Sequence, residues 1–426
     1  MKKAAIATLG CKVNQVEASS IVQQLVERDY EIVGFDCVAD IYIINTCTVT
    51  NRTDYKSRNL IRQALNQKAA NPQVRIIVTG CYAQKEKAEI EALGEIDLIV
   101  DNRSKIDLSV WLDKADYQFA DIMQAKTFYW KDIDGMHERT RAFLKIQDGC
   151  DYFCAYCAVP YGRGPSRSMD YTDVIRQAEN LVQQGYHEIV LAGINLGLYE
   201  DKMAAIKLPE LIKALVENDK LNFLRISSIE PDLFTDELIK VISASPKLCS
   251  HFHIALQSGS DSVLQRMGRK YKAHVVKDLV LKLQEVKPDC AIGLDIICSF
   301  PGETEAEFME TYNFLSVLPI AYLHVFVYSK RKGTPAATMQ NQIHGDISKQ
   351  RSALLIKLSD TKKHAYMNRL IANQTLLSGV VEKIDNKIGS ALSDHYIRIY
   401  NKDSALCENE IVSGVGLKLY KEGILI

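Results

Sequence analysis

Three cysteines close the run Asp148-Gly149-Cys150-Asp151-Tyr152-Phe153-Cys154-Ala155-Tyr156-Cys157, in CxxxCxxC spacing. Three thiolates this close can bind three irons of a cubane cluster, leaving the fourth iron without a protein ligand and open to chemistry. Structural zinc favours four ligands closing a tetrahedron, and no fourth Cys or His lies nearby, so the motif reads poorly as a zinc site. Three further cysteines, Cys11, Cys47 and Cys81, stand 36 and 34 residues apart. Each follows a short apolar run.

Those runs, residues 3–10, 41–45 and 74–79, predict buried strands, and helical spacing follows over 14–29, 54–67 and 84–93. Three strand–Cys–helix units imply a parallel sheet. Residues just past its carboxyl ends share the edge where α/β folds bind ligands. Cys11, Cys47 and Cys81 are therefore expected to converge as a second three-thiol site. Cys37, Cys249, Cys290, Cys298 and Cys407 show no such spacing and read as core or incidental thiols.

Six strand candidates follow, at 141–147, 188–192, 223–227, 251–256, 291–298 and 322–328, with helices between them at 172–184, 209–217, 235–244, 274–285 and 303–318. This alternation predicts a parallel sheet curved into a partial barrel, with the Cys150 loop on its working face. The uncharged stretch 311–329 is long enough to suggest a membrane span. Pro319 and His324 interrupt it, so a helix followed by a buried strand is the better reading, and no membrane segment is expected.

The chain has 426 residues, 47% of them hydrophobic, and a formal net charge of -1. That is enough apolar content for two or three cored domains and gives no bulk basic signature for nucleic acid. Domains are expected at 1–125, 135–372 and 375–426. Eleven cysteines without a signal-peptide pattern point to a reducing cytoplasm. Local charge is another matter. The helix after Cys47 carries Arg58 and Arg62 on one face as phosphate candidates. Residues 330–370 hold nine basic and two acidic side chains, a surplus of seven, on an expected helix over 347–371. Lys349, Arg351, Lys362 and Lys363 make this the leading RNA-binding element. Residues 375–426 break into short β-rich runs suggesting a small barrel, with Tyr396 and Arg398 as local RNA contacts.

A CxxxCxxC loop on the first strand of a six-stranded barrel resembles the radical S-adenosylmethionine (SAM) enzymes. Three upstream cysteines and a small C-terminal domain narrow the resemblance to the methylthiotransferases. Thr8-Leu9-Gly10-Cys11-Lys12-Val13-Asn14 and Asn45-Thr46-Cys47-Thr48-Val49-Thr50 are similar to the threonylcarbamoyladenosine tRNA methylthiotransferases. Isopentenyladenosine-modifying relatives usually carry Tyr-Gly-Cys-Gln-Met-Asn at the first cysteine, and ribosomal-protein-modifying relatives Leu-Gly-Cys-Pro-Lys-Asn.

The resemblance implies an α/β chain: an N-terminal parallel α/β domain, a central radical SAM partial (β/α)6 barrel and a small C-terminal antiparallel β-barrel of TRAM type. It assigns Cys150, Cys154 and Cys157 to a SAM-binding [4Fe-4S] cluster, and Cys11, Cys47 and Cys81 to an auxiliary [4Fe-4S] cluster. Tyr156 is expected near the adenine of SAM, Gly193 and Asn195 near its amino group, and Ser228, Glu230, Gln257 and Ser258 near its ribose and methionine. Pro301-Gly302-Glu303 and Gly333-Thr334-Pro335 match family loops. The implied reaction consumes two SAM molecules and methylthiolates C2 of N6-threonylcarbamoyladenosine at position 37 of tRNA. The alternative targets are isopentenyladenosine or a ribosomal-protein side chain. Implied partners are the tRNA anticodon stem-loop and a flavodoxin- or ferredoxin-type electron donor, with the chain a monomer.

Overall fold

The computed structural model describes residues 1–114, 116–136, 139–403 and 405–426. Lys2–Thr8 (β1), Tyr30–Val33 (β2), Ile41–Thr46 (β3), Arg75–Gly80 (β4) and Leu98–Ile99 (β5) form a parallel sheet in the order β2-β1-β3-β4-β5. Every residue of β3 is buried, as the unbroken apolar run Ile-Tyr-Ile-Ile requires of a central parallel strand. Helix α1 (Lys12–Val26) covers one face through Ile21 and Leu25, and α2 (Asn51–Ala70) the other through Ile61 and Ala64. Thr50 accepts from the Thr53 amide, so α2 starts three residues earlier than apolar spacing suggested. The helix expected over 84–93 is instead two short pieces, α3 (Cys81–Lys85) and α4 (Lys87–Glu91), broken at the non-helical Glu86. Strands β2 and β5 were not anticipated, because β2 is only partly buried and β5 is two residues long.

The central strands are Arg141–Lys145 (β6), Glu188–Ala192 (β7), Phe223–Ile226 (β8), His251–Gln257 (β9), Ala291–Cys298 (β10) and Tyr322–Val327 (β11). They pair in parallel as β6-β7-β8 and β9-β10-β11, and isolated parallel bridges at Leu224–Leu248 and Ile229–Ile254 join the two halves. This is the expected six-stranded open barrel. Residues 311–329 form the end of one helix and then β11, and no helix among the described residues is long and apolar enough to cross a membrane. The edge strand β11 lies beside helix α6 (Gly345–Ala372), whose Ser359 hydroxyl donates to Leu323 O and accepts from Leu323 N. A covered edge does not recruit further strands.

The last six strands, Leu376–Asp385 (β12), Ile388–Ser393 (β13), Arg398–Asn401 (β14), Ile411–Val415 (β15), Lys418–Tyr420 (β16) and Gly423–Leu425 (β17), run in the order β15-β12-β13-β14-β17-β16. All pairs are antiparallel except β14–β17. This sheet floors the barrel at the amino ends of its strands. Tyr396 stacks on His251 at 4.0 Å, Arg141 pairs with Glu382 at 2.8 Å, and Arg225 donates to Ser393 O at 3.0 Å and Asp394 O at 3.3 Å. Replacing Arg225 by Met leaves those carbonyls without their buried donor. Hydrogen exchange should then rise across 376–400 while the barrel strands stay protected; equal protection in the variant would contradict this docking.

Candidate active site

The two cysteine triplets lie at carboxyl ends of parallel strands, on elements that meet. Cys11 precedes α1, Cys47 follows β3 and Cys81 begins α3. A Cβ at Gly10 would stand 2.7 Å from Cys47 Cβ and 2.8 Å from its Sγ, so only glycine lets the Cys11 turn close onto Cys47. Burial pushes the Cys47 thiol up to about 12, with Cys81 and Cys11 adding to the shift, and raises Cys11 as well. Protonated, clustered thiols of this kind lose their protons when a metal takes them.

In the second triplet Cys154 is buried and Cys150 and Cys157 are partly buried. Gly149 has φ +73°, and a Cβ there would collide with Pro165 O, so the backbone turn that delivers Cys150 needs glycine. The loop is tied down on both flanks. Cys150 N donates to Gly164 O at 3.1 Å, Ala155 N to Met267 O at 2.8 Å, and Ala336 N to Ala155 O at 2.8 Å. The last bond comes from the residue just after Gly333-Thr334-Pro335.

Helix α5 (Val159–Arg163) begins two residues after Cys157 and ends against Cys81. Gly162 lets it approach, since a Cβ there would be 3.2 Å from Cys81 Cβ. Arg163 Nε donates to Cys81 Sγ at 3.2 Å, and Asn102 Nδ2 lies 3.6 Å from the same sulfur. The guanidinium is wholly buried and reaches Glu17 of α1 at 2.6 and 3.0 Å, Asp148 at 3.2 Å, and Asn14. Lys105 and Lys145 also pair with Glu17, at 2.5 and 2.7 Å, and Lys145 with Asp148 at 2.7 Å. Although burial favours the neutral acid, these cations hold the Glu17 carboxyl well below the usual range. None of Arg163, Glu17 or Lys105 was picked out from sequence. The available signal was Gly162 and Gly164 on either side of an arginine, which marks a tight approach without saying to what.

Around the Cys150 loop the expected SAM contacts divide. Gly193 sits against Gln147, whose Oε1 accepts from Ile194 N at 2.9 Å and Asn195 N at 2.8 Å. Asn195 Nδ2 lies 3.8 Å from Cys150 Sγ, and its Oδ1 is buried without a partner among the described residues. Ser228 is partly buried, and its neighbour Ser227 has a buried hydroxyl without a partner among the described residues, as have Ser299 and Tyr328. These orphaned polar atoms follow the carboxyl ends of β7, β8, β10 and β11, so a polar ligand there would meet waiting partners. The residues present fit SAM. Gln257 is buried with φ +73° at a bulge in β9.

Two of the expected contacts already have partners within the chain. The Ser258 hydroxyl lies 3.1 Å from Thr311 Oγ1. Glu230 is ion-paired with Arg269, which sequence reading overlooked. Arg269 also donates to Cys154 Sγ at 3.1 Å and to Tyr156 OH at 3.3 Å, fixing Tyr156 beside the thiols.

The basic candidates also divide. Arg351 is turned inward, donating to Glu303 at 2.9 Å and Glu305 at 2.9 Å, so it presents no charge to phosphate. Arg331, counted in the surplus of seven, is buried against Asp54, Thr48 and Asn51. Arg58 donates to Tyr82 OH at 3.0 Å, Arg398 pairs with Glu382, and Lys362 donates to Leu318 O at 2.7 Å. Arg62 and Lys349 are exposed and Lys363 is partly so.

Removing one member of a buried ionic network costs about 3–5 kcal/mol because the others lose their counter-charge. Glu17→Gln, which takes from Lys105, Lys145 and Arg163 the carboxylate they share, should therefore lower unfolding stability by about that much in denaturant titrations of the full chain. A change below about 1 kcal/mol, the size of a surface pair, would contradict the network's role.

Residues 3–101 match the model described as Uncharacterized protein family UPF0004, and residues 144–315 match the Radical SAM superfamily. The threonylcarbamoyladenosine tRNA methylthiotransferase MtaB of Bacillus subtilis is 41% identical over 99% of this chain and 95% of its own. Its namesake in Aquifex aeolicus is 35% identical over 93% and 96%. The tRNA-2-methylthio-N(6)-dimethylallyladenosine synthase of Clostridium tetani is 31% identical over 90% and 87%. Among solved structures, the radical S-adenosylmethionine methyltransferase TsrM of Kitasatospora setae superposes with TM-score 0.59 at 13% identity, covering 79% of this chain and 77% of that one; the kinship there is one of fold. With identity to the MtaB proteins running the length of both chains, this chain belongs to the radical SAM methylthiotransferases, on their threonylcarbamoyladenosine tRNA (MtaB) branch.

Proposed function

We propose that the protein methylthiolates C2 of N6-threonylcarbamoyladenosine at position 37 of tRNA, using two [4Fe-4S] clusters and SAM. The observation that carries this reading is the meeting of the two thiol triplets through α5, which runs from beside Cys157 to Cys81. When bound, the clusters and SAM supply one-electron chemistry that removes a hydrogen from carbon, together with sulfur and a methyl group for the product. A carbon-bound hydrogen has no useful acidity, so no general base could do this.

The chain's own residues prepare the site. Cys150, Cys154 and Cys157 would hold one cluster, and Cys11, Cys47 and Cys81 the other. Arg269 and Arg163 each donate to a ligand sulfur and keep positive charge beside the thiolates. The buried polar atoms of Asn195, Ser227 and Ser299, without partners among the described residues, would hold SAM, with Tyr156 the residue to face its adenine. Of the basic candidates, Arg62, Lys349 and Lys363 remain accessible to RNA phosphates, with the C-terminal sheet acting as a TRAM-type RNA-binding unit. Its charge is near balance, so its contacts are local. An anticodon loop yields a base cheaply, since unstacking there costs less than in a duplex. A cytoplasmic setting and a flavodoxin- or ferredoxin-type electron donor complete the reading.

Deleting the gene and digesting total tRNA to nucleosides should abolish the methylthio derivative in mass spectra while its unthiolated parent accumulates. An unchanged profile would sink the proposal. Changing Cys150, Cys154 and Cys157 together to Ala should lower bound iron and sulfide by about half; loss of all iron would mean that the two sites are not independent.

A further inference from the structure

The interior of the barrel carries a set of polar side chains that neither thiol triplet explains. Ile254 of β9, Leu294 and Ile296 of β10, and Leu323 of β11 pack into the apolar core. Side chains alternate along a strand, so their neighbours His253, Asp295 and His324 turn to the opposite, inner face. In the strand register Asp295 stands opposite His324, and His253 opposite Gly293. One ligand-type atom from each of the three then lies within 4.8 Å of the other two.

Gly293 makes room for this arrangement, since a Cβ there would collide with the Tyr322 ring. The ring occupies that space beside both imidazoles, its centroid 5.0 Å from that of His324 and 6.3 Å from that of His253. Its hydroxyl is committed to His251 Nε2 at 2.7 Å. The three side chains are thus walled by an aromatic ring on one side, while His324, 42% exposed, leaves them open to the barrel interior on another.

Hydrogen bonding alone does not account for the three. His253 Nε2 is 2.8 Å from Asp295 Oδ1, an ordinary bond length. His324 Nδ1 is 3.4 Å from the same oxygen, beyond the ~3.2 Å at which an N–H···O bond fades. That distance matches instead the edge of a coordination tetrahedron, because two atoms each about 2.1 Å from a zinc ion stand about 3.4 Å apart. Charge points the same way. Asp295 is only 18% exposed, and no lysine or arginine pairs with it among the described residues. Its neighbours in the barrel are matched: Glu188 has Arg225 at 2.7 Å and Glu382 has Arg141 at 2.8 Å. A carboxylate withdrawn from water is costly without a cation, and two neutral imidazoles supply none.

We propose that His253 Nε2, Asp295 Oδ1 and His324 Nδ1 bind a divalent first-row metal ion such as zinc, at a site separate from both thiol triplets. Two imidazoles and one carboxylate are the nitrogen and oxygen donors that suit such an ion, and they include none of the thiolates that hold an iron–sulfur cluster. Three protein ligands leave a tetrahedral ion one further position. In structural zinc sites protein fills all four, so the open one marks this as a site that binds water or an oxygen of a second molecule rather than one that holds the fold together.

The test is equilibrium dialysis of the anaerobic, iron- and sulfide-reconstituted full chain against buffered zinc, with zinc and iron measured in the same samples. The iron content shows that the six cysteines stay occupied. The unmutated chain should bind one zinc. Asp295→Asn and His324→Phe should each weaken that binding by more than about tenfold, the least that losing even an outer partner of a metal ligand costs, with iron content unchanged. X-ray absorption at the zinc edge of the unmutated chain gives a readout that depends on neither variant folding. It should show nitrogen and oxygen neighbours at about 2.0–2.2 Å and no sulfur. Lack of stoichiometric zinc in the unmutated chain, equal affinity in all three proteins, or sulfur among the zinc neighbours would overturn the site.

Discussion

A guanidinium withdrawn from water needs carboxylates around it, and Arg163 finds them from two parts of the chain: Glu17 on α1 and Asp148 just after β6. Withdrawing each ion costs several kcal/mol even after relaxation, so the network is stable only when every member is in place. The N-terminal sheet and the barrel are therefore held in one relative position. That position brings Cys81 to Arg163, six residues beyond Cys157. Among the described residues four cations, Lys105, Lys145, Arg163 and Arg167, face two carboxylates, Glu17 and Asp148. The missing negative charge is what thiolates at Cys11, Cys47 and Cys81 would supply. Loading the auxiliary site and docking the two parts of the chain are thus coupled by charge.

The barrel is enclosed from several sides. The C-terminal sheet closes the amino ends of the strands through Tyr396, Ser393 and Asp394, and α6 covers the edge of β11. The N-terminal part lies along the carboxyl ends, from α1 beside β6 to Asn51 N on Ser329 Oγ at 3.0 Å and Asp54 on Arg331. Radical chemistry needs water and oxygen kept out, and this arrangement buries Cys47, Cys81 and Cys154, leaving Cys150 and Cys157 partly covered and Cys11 exposed.

Much of this was legible in the sequence because it depends on local pattern. The β1, β3 and β4 runs, the cysteine after each, and the six barrel strands follow from apolar periodicity and from turn residues such as Gly10 and Gly149. What escaped depends on who stands opposite in space. The surplus of seven over residues 330–370 suggested a basic face, yet Arg331 and Arg351 answer Asp54 and Glu303, residues some 277 and 48 positions away. Ser258 ends a strand as a ligand contact would, but Thr311 of a neighbouring helix takes its hydroxyl. Arg269 and Arg163 were silent for the same reason. A buried arginine has no periodic signature, and only the fold reveals which sulfur it faces.

The account stands on two separate clusters facing each other across α5. Iron anomalous diffraction from anaerobically grown crystals of the reconstituted protein measures this most directly. Two distinct iron sites are predicted, one bounded by Cys150, Cys154 and Cys157 and one by Cys11, Cys47 and Cys81, with the Arg163 guanidinium beside the second. A single iron site, or Arg163 turned away from Cys81 when both are filled, would contradict it.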